Sequence, residues 1–231
     1  MATTLNPTAL EGLDFQTVTK KHRGHLRRAA VEFILALAMA AAASLLLWGS
    51  SFARTMVHDQ LADQKISFPV KGTPGIDPVK FPTLQKYASA SADQLNYVDN
   101  GAEAKAYAND FIGKHIADGA AIVDGQNYTY ATMGDKLTAL KATATDLKAK
   151  NDPGYQAAAD KVTAVTGQRD TLFKGETLRG LLLYAWGWSL VGQIAGIVAI
   201  VAFFGAAVLL VLTVWGFVQA RRDRAAKVAL S

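Results

Sequence analysis

Residues 178–218 read LRGLLLYAWGWSLVGQIAGIVAIVAFFGAAVLLVLTVWGFV, and no Asp, Glu, Lys or Arg stands between Arg179 and Arg221. The natural surrounding for so long an uncharged run is bilayer hydrocarbon, which about 20 apolar residues suffice to cross as a helix. A second run, AAVEFILALAMAAAASLLLWGSSFA, occupies residues 29–53. The expected fold is therefore an all-α membrane protein, in which two transmembrane helices flank a mainly helical exofacial domain with a Pro/Gly-rich extended segment.

The second run is longer than a crossing needs. Its 39 residues from Gly180 to Val218 would measure nearly 60 Å as one straight helix at about 1.5 Å per residue, roughly twice the hydrocarbon thickness. Two arrangements fit. Either residues 180–193 form the exofacial base of one long helix, or a break near Gly187 lets them lie in the interface plane. The continuous helix is preferred. The expected organisation is then a cytoplasmic basic tail (1–28), a first span (29–53), the exofacial domain (54–179), an interfacial stalk (180–193), a second span (194–218) and a second basic tail (219–231). Trp48, Tyr184, Trp186, Trp188 and Trp215 form the aromatic belt that such spans carry at their interfaces.

Charge fixes the orientation. The net charge is +5, but residues 54–179 hold fifteen basic and fifteen acidic residues and are neutral. The excess lies in Lys20, Lys21, Arg23, Arg27 and Arg28 before the first span, and in Arg221, Arg222, Arg224 and Lys227 after the second. That is positive-inside patterning, with both termini on the cytoplasmic side of the plasma membrane and residues 54–179 outside. It also argues against nucleic acid as a partner, since such binding concentrates charge on a folded module. The first run exceeds the roughly 7–15-residue core of a signal peptide and reads as an uncleaved anchor. The chain has no cysteine, so packing alone must hold the domain. Glu32 is the one acid in the first span and lies within a turn of Arg27 and Arg28, which favours a structural pairing at the membrane edge over a proton relay. His22 and His25 lie three apart, but without visible Cys or carboxylate company they make a poor metal site.

Between the spans, TMVHDQLADQKI continues the first helix. Pro69, Pro74, Pro78 and Pro82, with Gly72 and Gly75, then impose an extended path over residues 66–82. Ile66, Phe68 and Val70 alternate, yet no partner strand is visible, so the segment is expected to lie against helices. Residues 83–95 suggest a short helix, and Asp99-Asn100-Gly101 a turn. Ala104, Tyr107, Ala108, Phe111, Ile112 and His115 define one apolar helix face, with His115 placed for a role at the helix end. Asp118-Gly119 and Asp124-Gly125 break the chain, and Asn127-Tyr128-Thr129 matches a glycosylation sequon. Met133, Leu137, Leu140, Ala144 and Leu147 stripe a helix over 130–150. Tyr155, Ala159, Val162, Val165 and Leu172 stripe another, with interruptions near Gly167 and Gly175.

Gly192 and Gly196 form a GxxxG, extended by Ala195, Ala199 and Ala202 and matched in the first span by Ala36, Ala40 and Ala43. Small faces let helices approach closely in lipid, and the two spans of the chain are expected to pack together through them. The same faces could serve self-association or a partner subunit, and Gln193 could hydrogen-bond across the contact. No GxSxG, HExxH, phosphate-binding glycine loop or pair of acids in apolar context appears. The reading is a non-enzyme without cofactor or metal, in contact with membrane lipid and a protein partner. Phe173, Lys174, Glu176 and Arg179 form a candidate interaction collar where domain and span meet.

The stretches TLFKGETLRGLLLYAWGWSLVGQIA (171–195), HDQLADQKISFP (58–69) and AKAYANDFIGKHI (104–116) resemble a family of uncharacterised two-pass membrane proteins of high-GC Gram-positive bacteria. The resemblance covers most of residues 50–200. It implies two spans and a helical domain outside, and it brings no activity, cofactor or catalytic residue. The expected role is an accessory, scaffold or interaction module for an envelope protein or complex. The alternative is a ligand-sensing or ligand-delivering module with a site near Phe68, Tyr97, Tyr107 and Tyr128.

Overall fold

A computed structural model describes residues 15–73 and 81–229. Residues 1–14, 74–80 and 230–231, with Pro74, Gly75 and Pro78 among them, lie outside the described residues. The fold is all-α. The helices are α1 (Phe15–Gln64), α2 (Pro82–Tyr87), α3 (Gly101–Ala106), α4 (Tyr130–Ala149) and α5 (Tyr155–Ala229), and a hairpin of β1 (Ile122–Val123) and β2 (Gln126–Asn127) precedes α4. Helix α5 runs unbroken through Gly167 and Gly175, against the expected interruptions, and through Gly187, in line with the continuous helix preferred there. Both α1 and α5 contain stretches long and apolar enough to cross a membrane.

The chain divides into two compact units, Met1–Phe52 with Gly192–Ser231, and Ala53–Val191. In the first, α1 and α5 run antiparallel: Gly196 lies against Ser50, Gly205 against Met39 and Gly216 against Ala29. Each helix presents a stripe with a seven-residue period. Ala29, Ala36, Ala43 and Ser50 are buried on α1, and Ala199, Ala206, Thr213 and Ala220 on α5. A seven-residue period keeps one seam in register along two helices, and its small side chains set the spacing. A Cβ added to Gly216 would stand 3.0 Å from that of Ala29, so the backbones approach too closely for a larger residue. The large apolar side chains point the other way: Leu45 is 70% exposed and Phe204 71%.

The second unit has the usual arrangement, with large residues inside. Phe68, Leu84, Val98, Ile112, Met133, Val165, Leu172 and Leu182 belong to one core. The extended segment after α1 does find a partner. Phe68 N–H donates to Asn96 O (2.8 Å), Val98 N–H to Ile66 O (2.8 Å) and Ser89 N–H to Pro69 O (2.9 Å). Buried Ser89 locks this pairing, since its Oγ donates to Phe68 O at 2.5 Å and accepts from Asn96 N–H at 3.0 Å. Helix α2 accordingly ends at Tyr87, where a helix to residue 95 was expected, because residues 88–98 are taken up by the extended pair.

Asn100 and Gly101 do not close a turn. The Asn100 side chain caps α3, accepting from Ala102 N–H and Glu103 N–H at 3.1 Å each, the usual service of an N-cap. Glu103 accepts in return from Asp99 N–H at 3.1 Å, and burial raises its carboxyl above the ordinary range. Gly101 is required for a different reason. A Cβ there would collide with Ser189 of α5.

Past α3 the chain widens into π-helix at Tyr107–Gly113 and again at Ile116–Ala120. The buried residues Ala104, Ala108, Ile112 and Ile116 recur every four. On a pure α-helix each such step drifts by about 40°, and the wider i→i+5 turns counter the drift, so all four keep facing the core.

Candidate functional site

The second unit forms a cleft of about 810 Å³ between the π-helical segments, the β1–β2 hairpin, the start of α4 and the middle of α5. Its charged wall residues are Lys114, Glu176 and Arg179. Arg179 is held from several sides. Its Nη2 donates to Asn109 Oδ1 at 3.2 Å and its Nη1 to Glu176 Oε2 at 3.3 Å. Its Nε is buried beside Gly113, where an added Cβ would stand 3.3 Å from it. The opposite wall is anchored by the hairpin. Asp124 and Gly125 both take positive φ, 52° and 74°, the backbone of a tight two-residue hairpin turn.

Asp124 also ties the hairpin to two helices, accepting from Lys161 at 2.7 Å and Lys136 at 3.0 Å. The hydrogen bond from Lys161, then that from Lys136, pulls its carboxyl below the usual range, and Lys136 is raised in turn by its bond to Asp124. Thr129 caps α4 through a reciprocal bond with Thr132. Arg169 lies over the Tyr130 ring at 4.1 Å and donates to Tyr130 O at 3.3 Å, fixing the rim.

The collar residues fall on different faces of α5. Glu176 and Arg179 line the cleft. Lys174 lines a second, apolar groove of about 440 Å³ with Phe111, Ile112 and Leu178, and it pairs with Asp170 at 2.6 Å. Phe173 is half exposed, its ring 5.4 Å from that of Tyr130.

The aromatic residues suggested as a ligand site do not converge. Phe68 is fully buried between Tyr87 and Tyr107, Tyr97 is exposed and its backbone pairs with Ser67, and Tyr128 alone lines the cleft. His115 is exposed, with Nδ1 2.7 Å from Phe111 O and its ring 4.3 Å from the Phe111 ring. Asn127 is exposed on β2 and borders the cleft.

Of the expected packing residues, Ala36 and Gly192 are buried, Ala40, Ala195 and Gly196 are half-buried, and Gln193 is exposed, off the buried stripe. Among the belt residues, Trp48 stacks on Phe52 at 5.7 Å and Tyr184 meets Trp188 edge-on at 6.2 Å. Trp186 is half-buried beneath Lys105, whose Nζ stands 4.4 Å from the ring centre, and Trp215 is exposed.

In the first unit Glu32 is buried and pairs with Arg28 at 2.7 Å. His22 and His25 face separate partners. His22 Nδ1 lies 2.8 Å from Ala220 O, and His25 Nδ1 lies 3.1 Å from Asp223, a carboxylate that sequence spacing did not bring near it. Among the described residues no group of three or more His, Cys, Asp or Glu is placed to hold a metal. Comparison of the chain with protein-family models, with curated proteins and with solved structures finds no match.

Proposed function

We propose that the chain is a non-catalytic two-pass membrane protein with both termini cytoplasmic. Its second unit stands outside the plasma membrane as an accessory or interaction module for an envelope protein or complex. The carrying observation is the inverted packing of the first unit, with Ala29, Ala36, Ala199 and Ala206 buried on the seam and Leu45, Val201, Phe204 and Val211 exposed. In water such a surface is a liability, whereas in lipid it is what paired helices present. The basic residues that flank both apolar runs support the orientation. The two-helix seam leaves the second unit with a core of its own, which suits a module displayed to partners.

Because the chain has no cysteine, single introduced cysteines report topology cleanly. On intact cells an impermeant maleimide should label Ala131→Cys and leave Ser231→Cys unlabelled until the membrane is permeabilised. The converse pattern contradicts the orientation. A photo-crosslinker at exposed Phe173 should then capture a stoichiometric partner from the envelope, and a chain that stays uncrosslinked contradicts the accessory role.

A ligand-binding reading is favoured by one observation, the arginine-anchored cleft.

A further inference from the structure

We propose that the cleft beside Arg179 binds a small monoanion, a carboxylate carried on an apolar or aromatic body. The anchor is preorganised. Asn109 holds Nη2 at 3.2 Å, and Gly113 lies against the buried Nε, so the guanidinium plane is fixed before any ligand arrives. Its other partner is Glu176, three residues earlier on the same helix, at 3.3 Å and about half exposed. Ion pairs of that kind contribute little, and an incoming carboxylate can take the outward donors in the forked geometry that arginine offers.

The charges on the cleft wall, Arg179 and Lys114 against Glu176, sum to one positive, which matches a monoanion better than a phosphate dianion. The remaining wall is largely apolar, with Ile116, Leu172, Tyr128 and Tyr130. A mostly apolar pocket with few convergent polar groups is the common form of a small-molecule site, and about 810 Å³ is within its usual range. Asn109 and Gly113, four residues apart in one π-helical segment, both face Arg179. The proposal does not depend on membrane topology, and its failure would leave the two-pass reading untouched.

The test uses the full chain in a neutral detergent, with binding of 1-naphthylacetate followed by calorimetry against its neutral amide and against 1-naphthyl phosphate. The acid should bind saturably, at least about tenfold more tightly than the amide and more tightly than the phosphate. Arg179→Gln should weaken the acid by about tenfold or more and leave the amide unchanged, with Arg179→Lys intermediate because it keeps the charge and loses the fork. Glu176→Gln, at an exposed position, should tighten the acid by about threefold, since the competing carboxylate is gone. Equal binding of acid and amide, tightest binding of the phosphate, absence of saturable binding, or indifference to Glu176→Gln would each overturn the proposal. The Glu176 variant keeps the test decisive if Arg179→Gln fails to fold.

Discussion

The two units solve the packing problem in opposite ways. In the first, small residues are buried on a seven-residue seam and large apolar residues face out. In the second, Phe68, Met133 and Leu172 fill a core. Burial of large side chains stabilises a fold when the alternative is water. Where the alternative is hydrocarbon that term vanishes, and close backbone approach remains the source of helix pairing. With the first unit in lipid, as proposed, the same side chain has different worth in the two units, and substitutions can expose the difference.

The largest contrast is between two phenylalanines. Phe68→Ala should destabilise the second unit by about 3–5 kcal/mol, read as a fall in its thermal or denaturant midpoint in detergent. Phe204→Ala, at a residue 71% exposed, should move stability by no more than about 0.5 kcal/mol. Comparable losses at both sites would break the comparison.

Next in size is the reverse substitution. Gly216→Leu forces a large side chain against Ala29 and should cost about 1–3 kcal/mol of helix pairing, measurable as earlier separation of the helices in graded SDS. Tolerance of leucine there would mean the seam is not closely packed. Ser89→Ala belongs to the second unit and to a polar mechanism. It leaves Phe68 O and Asn96 N–H without their shared partner and should cost about 1–3 kcal/mol, visible as faster amide exchange across residues 66–71 and 88–98.

The smallest effect is electrostatic. The Asp124 carboxyl is lowered by Lys161 and Lys136, so its contribution is present at neutral pH and is lost as pH falls through the lowered folded value. Lys136 is raised by the same bond, and its share is lost only at strongly alkaline pH. A midpoint-versus-pH series should show a small acid-side decline that Asp124→Asn flattens. An unchanged acid limb in the variant would remove the tie from the account.

Much of this was legible because it depends on local pattern. The apolar runs, the Asp124-Gly125 turn and the Met133, Leu137 and Ala144 stripe of α4 all follow from spacing and residue type, and α1 runs to Gln64 as TMVHDQLADQKI suggests. What was missed depends on distant partners. The extended segment around Phe68 pairs with residues 89–98, but nothing near Ile66 signals that. Gly101 looked like a turn residue and is instead the close approach of α3 to Ser189. The π-helical widening was readable in principle, since Ala104, Ala108, Ile112 and Ile116 recur every four residues, a spacing that drifts on an α-helix.

The candidate site was half legible. Glu176 and Arg179 stood out as charges beside an apolar run, whereas Asn109 and Gly113, some seventy residues earlier in the chain, reach Arg179 only through the fold. Of the small residues expected to pack, Ala36, Ala43, Gly192 and Ala199 lie on the buried seam, which repeats every seven residues rather than the four of a GxxxG, whereas Gln193 is exposed.

The inverted packing of the first unit is tested most directly by spin labels on single cysteines at Phe204 and Lys141 in lipid nanodiscs. The label at Phe204 should relax strongly with oxygen and weakly with a water-soluble nickel chelate, and the label at Lys141 should do the reverse. Strong relaxation of the Phe204 label by the nickel chelate would place that face in water and contradict the account.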